Sequence, residues 1–273
     1  MDEIRIEDLE VYAFHGVFPE ENRVGQTFYV NAVLYGDTRP AALADELTLS
    51  THYGEVCHLI TKWMKEHTCK LIETVAEHLA REILLQYPMV QELELEIRKP
   101  EAPVGLPFES VSVRIRRGWH KVYLSVGSNM GEREKYINHA IESLQADEDI
   151  RVEKVSSLLT TKPYGGVEQQ DFLNGAIAIR TLLTPEELLV KLHEIEAAAN
   201  RERTVRWGPR TLDLDIIFYD KLVYESEALI LPHVDMENRY FVLKPLSELA
   251  PNYRHPVLRK TVTQLLENVA GDL

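Results

Sequence analysis

A break in the strand pattern between residues 116 and 121 constrains the fold of this chain more than any other feature. Val111-Ser-Val-Arg-Ile115 alternates apolar and polar side chains as a half-buried strand does, and Val122-Tyr-Leu-Ser-Val126 begins another strand. The segment between them, Arg116-Arg-Gly-Trp-His-Lys121, follows neither pattern, and a short basic segment with a glycine is typical of a domain joint. Because 273 residues also exceed the usual single-domain size of roughly 100–200, we predict two domains, residues 1–118 and 119–273.

The first block predicts an antiparallel sheet backed by helices. Its segments follow the order strand, strand, helix, helix, strand, strand, which is typical of an α+β domain. The predicted strands are Ile4–Phe14, Gln26–Tyr35, Leu93–Ile97 and Val111–Ile115, and the predicted helices contain Val56–Met64 and Ile72–Ile83.

The second block predicts an α+β sheet of the ferredoxin-like type, because strands alternate with helices and some neighbouring strands are arranged like hairpins. One helix follows Gly127-Ser-Asn129 and contains the apolar positions from Ile137 to Leu144. Thr184-Pro-Glu-Glu187 is a capping box with proline in the first turn, and it predicts a helix that ends near Ala199. The predicted strands lie near Val122–Val126, Val155–Leu159, Ala176–Arg180 and Leu212–Phe218.

Asp213 and Asp215 lie two residues apart in an apolar run and form the first candidate site. Strand side chains alternate, so both carboxylates are predicted on one side and the neighbouring leucines on the other. Adjacent carboxylates repel each other unless a cation lies between them, and Mg²⁺ binds one or two carboxylates together with water and phosphates. An Asp-x-Asp pair alone is more often a solvated strand edge, but here arginines that suit phosphate groups precede it. They are Arg201, Arg203, Arg206 and Arg210.

Composition excludes some classes of function. A net charge of −14 argues against a nucleic-acid-binding protein, which needs a basic face. The two cysteines, Cys57 and Cys69, lie in helical patterns and are expected to be reduced thiols. The first residues lack a signal-peptide pattern, and no stretch approaches the ~18 apolar residues of a membrane span. We therefore expect a soluble, cytoplasmic protein that contacts no membrane.

Five motifs in the second block occur in the order and spacing of a known family. They are Gly127-Ser-Asn129, Pro163-Tyr-Gly165, Asp171-Phe-Leu-Asn174, Arg206-Trp-Gly-Pro-Arg-Thr-Leu-Asp-Leu-Asp215 and Leu231-Pro-His-x-Asp-Met-x-Asn-Arg239. From Lys121 to its last residue the chain resembles 6-hydroxymethyl-7,8-dihydropterin pyrophosphokinase. The resemblance implies a ferredoxin-like fold and transfer of pyrophosphate from ATP to the hydroxymethyl group of a pterin, with release of AMP.

The resemblance also implies roles for single residues. Asp213 and Asp215 would hold Mg²⁺, with two ions expected, and Arg201 and Arg210 would act in catalysis from a loop that closes over ATP. Aromatic faces and an amide side chain suit the flat pterin, and Phe172 stands where the family commonly has Tyr. The implied ATP contacts are Glu196, Arg201, Arg203, Arg210, His233 and Arg239, and the implied pterin contacts are Thr161, Pro163, Tyr164, Phe172, Asn174, Trp207 and Phe241.

A second set of motifs covers the first block. They are Phe14-His-Gly16, Glu21-Asn22…Gly25-Gln26, Thr51-His-Tyr-Gly-Glu-Val56, Leu71-Ile-Glu73 and Ile97-Arg-Lys-Pro100. From Met1 to about Gly118 the chain resembles dihydroneopterin aldolase. The resemblance implies a tunnelling fold and cofactor-free cleavage of 7,8-dihydroneopterin to glycolaldehyde and 6-hydroxymethyl-7,8-dihydropterin. That product is the substrate of the second block, so each resemblance supports the other.

A retro-aldol reaction needs a base for the side-chain hydroxyl proton and an acid for the enamine carbon. The resemblance assigns this chemistry to Lys99, Tyr53 and Glu21, although on spacing alone a lysine that ends a strand is usually solvated. Glu73, with Ile72 beside it, would pair with the guanidine-like edge of the pterin. The family also implies a homo-oligomer, a tetramer or octamer, with each site at the seam between subunits.

Two alternatives remain open from the sequence. In the first, the N-terminal block is an inactive oligomerisation module attached to a pyrophosphokinase. In the second, the protein is an acidic sensor that binds a metal or a nucleotide. The expected partners under the main interpretation are pterins, ATP and further copies of the chain.

Overall fold

The chain divides into two units, Met1–Trp119 and His120–Leu273, each with its own antiparallel sheet. The computed structural model describes residues 1–163, 169–199 and 210–270. Among these residues, no helix combines the length and the apolar character that crossing a membrane requires.

The first unit contains a four-stranded antiparallel sheet with two long helices inserted between its second and third strands. Its elements are β1 (Asp2–Ala13), α1 (Pro19–Val24), β2 (Gln26–Gly36), α2 (Arg39–Ala44), α3 (Tyr53–Glu66), α4 (Ile72–Gln86), β3 (Glu92–Lys99) and β4 (Val111–Gly118). The strands pair in the order β1-β2-β3-β4, and burial alternates along β2 and β3, so that one face of the sheet lies in the core. The predicted order of two strands, two helices and two strands is confirmed, with α1 and α2 as short additions.

The helix α3 has its buried residues Val56, Ile60 and Met64 three to four positions apart, so they share one face. It ends at Glu66, where the backbone N–H of His67 donates to the Trp63 carbonyl at 3.1 Å. The prediction that Cys69 lies in a helix was therefore wrong, because this residue follows the last turn. Both cysteines are free thiols.

The predicted joint at residues 116–121 is almost entirely strand. The strand β4 continues through Arg116 and Arg117, which pair in register with Glu94 and Leu93 of β3. Arg116 also forms an ion pair with Glu92, and Arg117 forms one with Glu77 at 2.7 Å. The basic run is compatible with a strand because facing glutamates neutralise it, so the break in the strand pattern expected at residues 116–121 is confined to Trp119.

The second unit has the strand–helix–strand–strand–helix–strand order of a ferredoxin-like sheet. Its elements are β5 (His120–Ser128), α5 (Arg133–Gln145), β6 (Ile150–Val155), β7 (Leu159–Thr161), β8 (Phe172–Thr181), α6 (Pro185–Ala198) and β9 (Asp213–Tyr219). The sheet order is β6-β8-β5-β9 with antiparallel neighbours, and β7 also pairs with β8. The ferredoxin-like prediction is confirmed, as is the capping box, in which Thr184 accepts from the N–H of Glu187.

The single strand predicted over Val155–Leu159 is instead the end of β6, a break, and the start of β7. Three residues, 156–158, face only two residues, 175 and 176, of the partner strand β8. Ser156 fills the irregularity, because both its N–H and its hydroxyl are hydrogen-bonded to the backbone of Ala176 at 2.9 Å. Such an extra residue bends a strand, and alternation of side chains does not reveal it.

Apolar cores lie on both faces of the second sheet. The remaining elements are β10 (Tyr224–Glu225), β11 (Ile230–Leu231), α7 (Tyr240–Leu249) and α8 (Val262–Ala270). Leu214 and Ile216 of β9 pack in a core with α5 and α6, whereas Ile217 and Phe218 pack in another with α7 and α8. The strand β9 therefore packs against an apolar core on each face of the sheet.

Candidate active sites

A buried ion pair marks the candidate site of the first unit. Lys99 ends β3 and is only 8% exposed, so the ordinary expectation of a solvated lysine at a strand end was wrong. Its Nζ lies 2.5 Å from Glu21 Oε1 and 3.4 Å from the backbone oxygen of His15. The alternation that buries Leu95 and Ile97 also directs Lys99 inward, so the strand itself carries the ammonium group into the core.

Glu21 is held in place by neighbours as well as by Lys99. The N–H of Phe18 donates to its Oε2 at 3.0 Å, and Gln26 Nε2 donates to its Oε1 at 3.2 Å. Burial alone would raise the pKa of Glu21, but the hydrogen bonds from Lys99 and Phe18 outweigh it and leave the pKa below its ordinary value. A Cβ atom at Gly16 would lie 2.3 to 2.6 Å from this carboxylate, so the glycine permits the close approach.

The other residues predicted for this site lie at the ends of helices. Tyr53 begins α3 and is 62% exposed, and Glu73 is exposed in the first turn of α4. Ile72 is buried beneath it. No described contact joins Tyr53 or Glu73 to Lys99, so the unit assembles Glu21 with Lys99 and presents Tyr53 and Glu73 at its surface.

A cavity in the second unit is lined by both carboxylates of β9. Asp213 and Asp215 pair with Gly127 and Ser125 of β5, and these four residues face the same cavity while Leu214 faces the core. The predicted placement of both carboxylates on one side of the strand is confirmed. The other predicted residues that line the cavity are Thr161, Phe172, Asn174, Arg210, His233, Arg239 and Phe241.

The carboxylate pair is only partly neutralised by its described neighbours. Arg210 Nη1 lies 2.6 Å from Asp213 Oδ2, and its guanidinium also lies over the Phe172 ring, 5.7 Å from the centroid. Burial, and next the charge of Asp213, raise the pKa of Asp215 well above its ordinary value. This arrangement favours a cation between the two carboxylates. Among the described residues no cluster of three acidic, histidine or cysteine side chains occurs, so further ligands to a metal would be phosphate and water oxygens.

The same cavity contains a hydrogen-bonded pair of polar side chains. Asn174 Nδ2 donates to Thr161 Oγ1 at 2.8 Å, which leaves the Thr161 hydroxyl free to donate its own proton. Gly127 makes room for this pair, because a Cβ atom there would lie 3.0 Å from Asn174 Oδ1. The rings of Phe172 and Phe241 line the same cavity, so aromatic side chains and hydrogen-bonding groups occur together there.

His233 and Arg239 place nitrogen-containing side chains on the wall of the same cavity. Arg239 Nε lies 3.2 Å from Asp235 Oδ2, which fixes its guanidinium. Burial, and next the charge of Arg239, lower the pKa of His233, so its ring is neutral near pH 7. Its Nδ1 is buried without a partner in the described structure, and a polar ligand would satisfy it.

Several predicted residues lie elsewhere. Glu196 is buried and accepts from the N–H of Leu214 at 2.8 Å, so it covers the free edge of β9 and does not line the cavity. Pro163 is half-buried and is likewise absent from the cavity wall. Five predicted residues lie outside the described residues: Tyr164, Arg201, Arg203, Arg206 and Trp207.

Asn129 is a contributor that the site prediction missed. Its Oδ1 accepts from the N–H of Arg210 at 2.8 Å, and its Nδ2 donates to Gln169 Oε1 at 3.0 Å. Asn129 is 1% exposed and fixes the backbone that carries Arg210. The Gly127-Ser-Asn129 motif was the available signal. The cavity also includes four residues that were not predicted for the site: Ser125, Gly127, Lys162 and Gln169.

Comparison with known proteins divides the chain in the same way. Residues 123–251 match the family model for 7,8-dihydro-6-hydroxymethylpterin-pyrophosphokinase (HPPK), and residues 4–116 match that for dihydroneopterin aldolase. A 2-amino-4-hydroxy-6-hydroxymethyldihydropteridine pyrophosphokinase from Aquifex aeolicus (strain VF5) is 40% identical over 143 residues, which are 52% of this chain and 88% of the relative.

Larger relatives are similar to parts or to nearly all of the chain. The bifunctional protein FolKE of Lactococcus lactis subsp. cremoris (strain MG1363) is 48% identical over 149 residues, 54% of this chain and 42% of that protein. The folic acid synthesis protein fol1 of Pneumocystis carinii is 32% identical over 287 residues, 98% of this chain and 38% of that protein. The chain thus spans about two fifths of the length of these larger relatives.

Proposed function

We propose two consecutive activities for this chain, which belongs to the 7,8-dihydro-6-hydroxymethylpterin-pyrophosphokinase family and carries a dihydroneopterin aldolase domain before it. Residues 1–118 would cleave 7,8-dihydroneopterin, and residues 119–273 would transfer pyrophosphate to the product. The protein would thus supply two steps of folate biosynthesis.

The observation that carries the proposal is the assembly of residues from separate motifs into one cavity. Residues from β7, β8, β9 and the segment after β11 meet around Asp213 and Asp215, although they are far apart in the sequence. The cavity combines carboxylates, guanidinium groups, an amide–hydroxyl pair and aromatic rings, which are the groups that a magnesium–nucleotide complex and a pterin require.

In the transfer reaction the hydroxymethyl oxygen attacks the β-phosphorus of ATP, its proton is lost, and the bond to the α-phosphate oxygen breaks to release AMP. Charge on the phosphate oxygens must be balanced, so positioned cations supply most of the catalysis. Arg210 would contact this charge, and Arg239 and His233 would hold the nucleotide. The roles proposed for Arg201 and Arg203 follow from the family resemblance, as does that for Glu196.

Asp213 and Asp215 fit a magnesium site because they face one cavity and repel each other until a cation binds. Mg²⁺, with two ions proposed, would neutralise the phosphate oxygens and orient the triphosphate. Thr161 and Asn174 would read the edge of the pterin, with Phe172 and Phe241 against its faces. Pro163, Tyr164 and Trp207 are proposed as further pterin contacts on the family resemblance.

In the cleavage reaction a base removes the proton of the 2′-hydroxyl, and the C1′–C2′ bond breaks to release glycolaldehyde. The dihydropterin ring accepts the electron pair as an enamine, and C1′ is then protonated. Lys99, with Glu21 and Tyr53, would move these protons, and Glu73 beside Ile72 would bind the pterin. The buried Lys99–Glu21 pair supports this function over an inactive module, because two groups that the family resemblance assigns to the chemistry are in direct contact.

We propose that the aldolase site is completed by a second copy of the chain, in a tetramer or octamer. Lys99 is buried, whereas Tyr53 is exposed and has no described contact with it, so a neighbouring chain can supply the tyrosine. Mixing an inactive Lys99→Ala chain with an inactive Tyr53→Phe chain should restore some cleavage after subunit exchange. Exchanged mixtures that remain inactive would contradict the shared site.

The test of both activities is one incubation of the protein with 7,8-dihydroneopterin, ATP and Mg²⁺, followed by mass spectrometry. Glycolaldehyde, AMP and a diphosphorylated pterin are expected together. AMP formed only when 6-hydroxymethyl-7,8-dihydropterin is supplied would favour a pyrophosphokinase with an inactive first unit. The absence of AMP under both conditions would favour a sensor. Pterins, ATP and further copies of the chain are the proposed partners, and the cytoplasmic location stays a prediction.

A further inference from the structure

His15 lies against the Lys99–Glu21 pair and has no role in the chemistry described above. Its side chain is fully buried, and its backbone oxygen accepts from Lys99 Nζ at 3.4 Å. The imidazole Nδ1 accepts from the backbone N–H of Cys69 at 3.1 Å. His15 therefore connects the loop after α3 to Lys99: its ring accepts from the loop, and its carbonyl accepts from the Lys99 ammonium group.

A second bond makes this connection rigid. The N–H of Gly16 donates to the carbonyl of Cys69 at 2.9 Å, so Cys69 is bonded both to the peptide between His15 and Gly16 and to the His15 ring. Gly16 also lies directly against the Glu21 carboxylate. This peptide thus supplies one oxygen acceptor of Lys99 and lies against the other.

The ring of His15 acts in its neutral form. Because Nδ1 accepts a hydrogen bond, the proton of the neutral ring is on Nε2, which is buried and has no partner in the described structure. Burial, and next the charges of Lys99 and His67, lower the pKa of His15 to about 4. Two other ionisable groups lie near the ring: Glu21, which is bonded to Lys99, and the thiol of Cys69. The ring centroids of Phe28 and Trp63 lie 5.4 and 6.5 Å from that of His15.

We infer that His15 is a positioning residue for Lys99: its Nδ1 holds the His15–Gly16 peptide so that the peptide oxygen and Glu21 together direct the ammonium group. This role rests on the proposed aldolase function of the first unit. Since a displacement of about 1 Å in a reacting group can cost on the order of a hundredfold in rate, loss of the tether should lower kcat for cleavage. Substrate affinity should change little, because the pterin itself is not predicted to contact the ring.

The chain offers matched variants that separate the two ring nitrogens. His15→Asn places an acceptor where Nδ1 lies, His15→Gln places a donor where Nε2 lies, and His15→Leu has the shape of the Asn variant without its polar atoms. We expect His15→Asn to keep kcat within about threefold of the wild type. His15→Leu and His15→Gln should lose at least about tenfold in kcat, with KM for 7,8-dihydroneopterin within about twofold.

Pyrophosphoryl transfer by the same chain is the internal control, because His15 lies in the other unit. Full cleavage activity of His15→Leu would overturn the inference. An active His15→Gln together with an inactive His15→Asn would also overturn it, because Nε2 and not Nδ1 would then be the required atom. If His15→Leu does not fold, the comparison of kcat between His15→Asn and His15→Gln tests the inference by itself. A wild-type chain that cleaves nothing would contradict the proposed aldolase function itself, whereas cleavage by the wild type together with cleavage by all three variants would contradict only the role of His15.

Discussion

The two candidate sites differ in how their charges are balanced. In the first unit, Lys99 and Glu21 form an ion pair whose side chains are only 10% and 9% exposed. In the second, two carboxylates share a cavity in which Arg210 contacts Asp213 and burial raises the pKa of Asp215. The ion pair of the first site forms without substrate, whereas the charges of the second would be balanced by the cations and phosphates proposed to bind there.

This difference has opposite consequences for stability. A buried charge that loses its partner is strongly destabilising, so the first unit depends on both members of its ion pair. Two carboxylates held together repel each other, so the second unit sacrifices stability to maintain its site. A substitution in the second site should therefore lower activity without lowering stability, whereas a substitution in the first site should lower both.

The largest effect is expected at Asp215. Asp215→Asn should lower pyrophosphoryl transfer about a thousandfold, or roughly 4 kcal/mol of barrier, and leave aldol cleavage unchanged. Without divalent cations the variant should be at least as stable as the wild type, because the repulsion between carboxylates is removed. AMP formation and thermal denaturation with a chelator measure the two effects, with the exposed Glu225→Gln as a control. Activity within about tenfold of the wild type would contradict the cation site.

The opposite pattern is expected at Lys99. Lys99→Met should lower cleavage at least about a hundredfold, or roughly 2.7 kcal/mol of barrier. It should also destabilise the first unit by about 3 kcal/mol, because Glu21 is left charged and buried. Adding Glu21→Gln should recover much of the stability and none of the activity.

Tryptophan fluorescence can follow the first unit alone. A Trp207→Phe background leaves Trp63 and Trp119, which both lie in that unit. Denaturant titrations of the single and double variants in this background give the two free energies of unfolding. A double variant as unstable as Lys99→Met would show that the unpaired charge of Glu21 is not the cause of the lost stability.

A smaller effect is expected at Arg210, which we propose contacts charge that develops during the reaction. Arg210→Ala should lower kcat for pyrophosphoryl transfer about 50-fold, or roughly 2.3 kcal/mol, and change KM for ATP by less than about threefold. Arg210→Lys keeps the charge but not the planar guanidinium, so its kcat should lie between those of the wild type and Arg210→Ala. A change confined to KM would mean that Arg210 only holds the ground-state nucleotide.

The smallest effect concerns pH and the first unit. The pKa of His15 falls from 6.5 to about 4 on folding, so the unfolded chain binds the proton more tightly. Its contribution to stability is therefore complete above pH 6.5 and is lost as the pH falls toward 4, by about 2 kcal/mol between pH 7 and pH 5. His15→Asn should remove this component of the pH dependence. Glu21, whose pKa is lowered from 4.5, should lose its contribution only as the pH falls below about 4.5. Equal pH dependence in the wild type and the variant would contradict a buried neutral ring.

The element order and the carboxylate pair could be predicted from the sequence because they depend on local periodicity. The alternation along β9 was enough to place Asp213 and Asp215 on one side, and Thr184 with Glu187 was enough to place the start of α6. Lys99 had the same signal, since it continues the inward positions of Leu93, Leu95 and Ile97, but the general tendency of lysine to be solvated outweighed it.

Other features depend on contacts between distant segments, which periodicity does not encode. The irregularity at Ser156 arises from the register of two strands, and the bonds of Asn129 reach residues 40 and 81 positions away. The contact of the His15 carbonyl with Lys99 spans 84 positions and uses the backbone, so no side-chain pattern announces it. Such contacts can be identified only in the folded structure, where the distant segments lie side by side.

The most direct test of two independent sites in one chain is a time course of 7,8-dihydroneopterin, ATP and Mg²⁺ with two crossed variants, followed by mass spectrometry. Asp215→Asn should accumulate glycolaldehyde and 6-hydroxymethyl-7,8-dihydropterin without AMP. Lys99→Met should leave 7,8-dihydroneopterin intact, yet form AMP and the diphosphorylated product when 6-hydroxymethyl-7,8-dihydropterin is supplied. An equal mixture of the two variants should complete both steps. If either substitution abolishes both reactions in a folded protein, or if the mixture forms no diphosphorylated pterin, the account of two separate sites is contradicted.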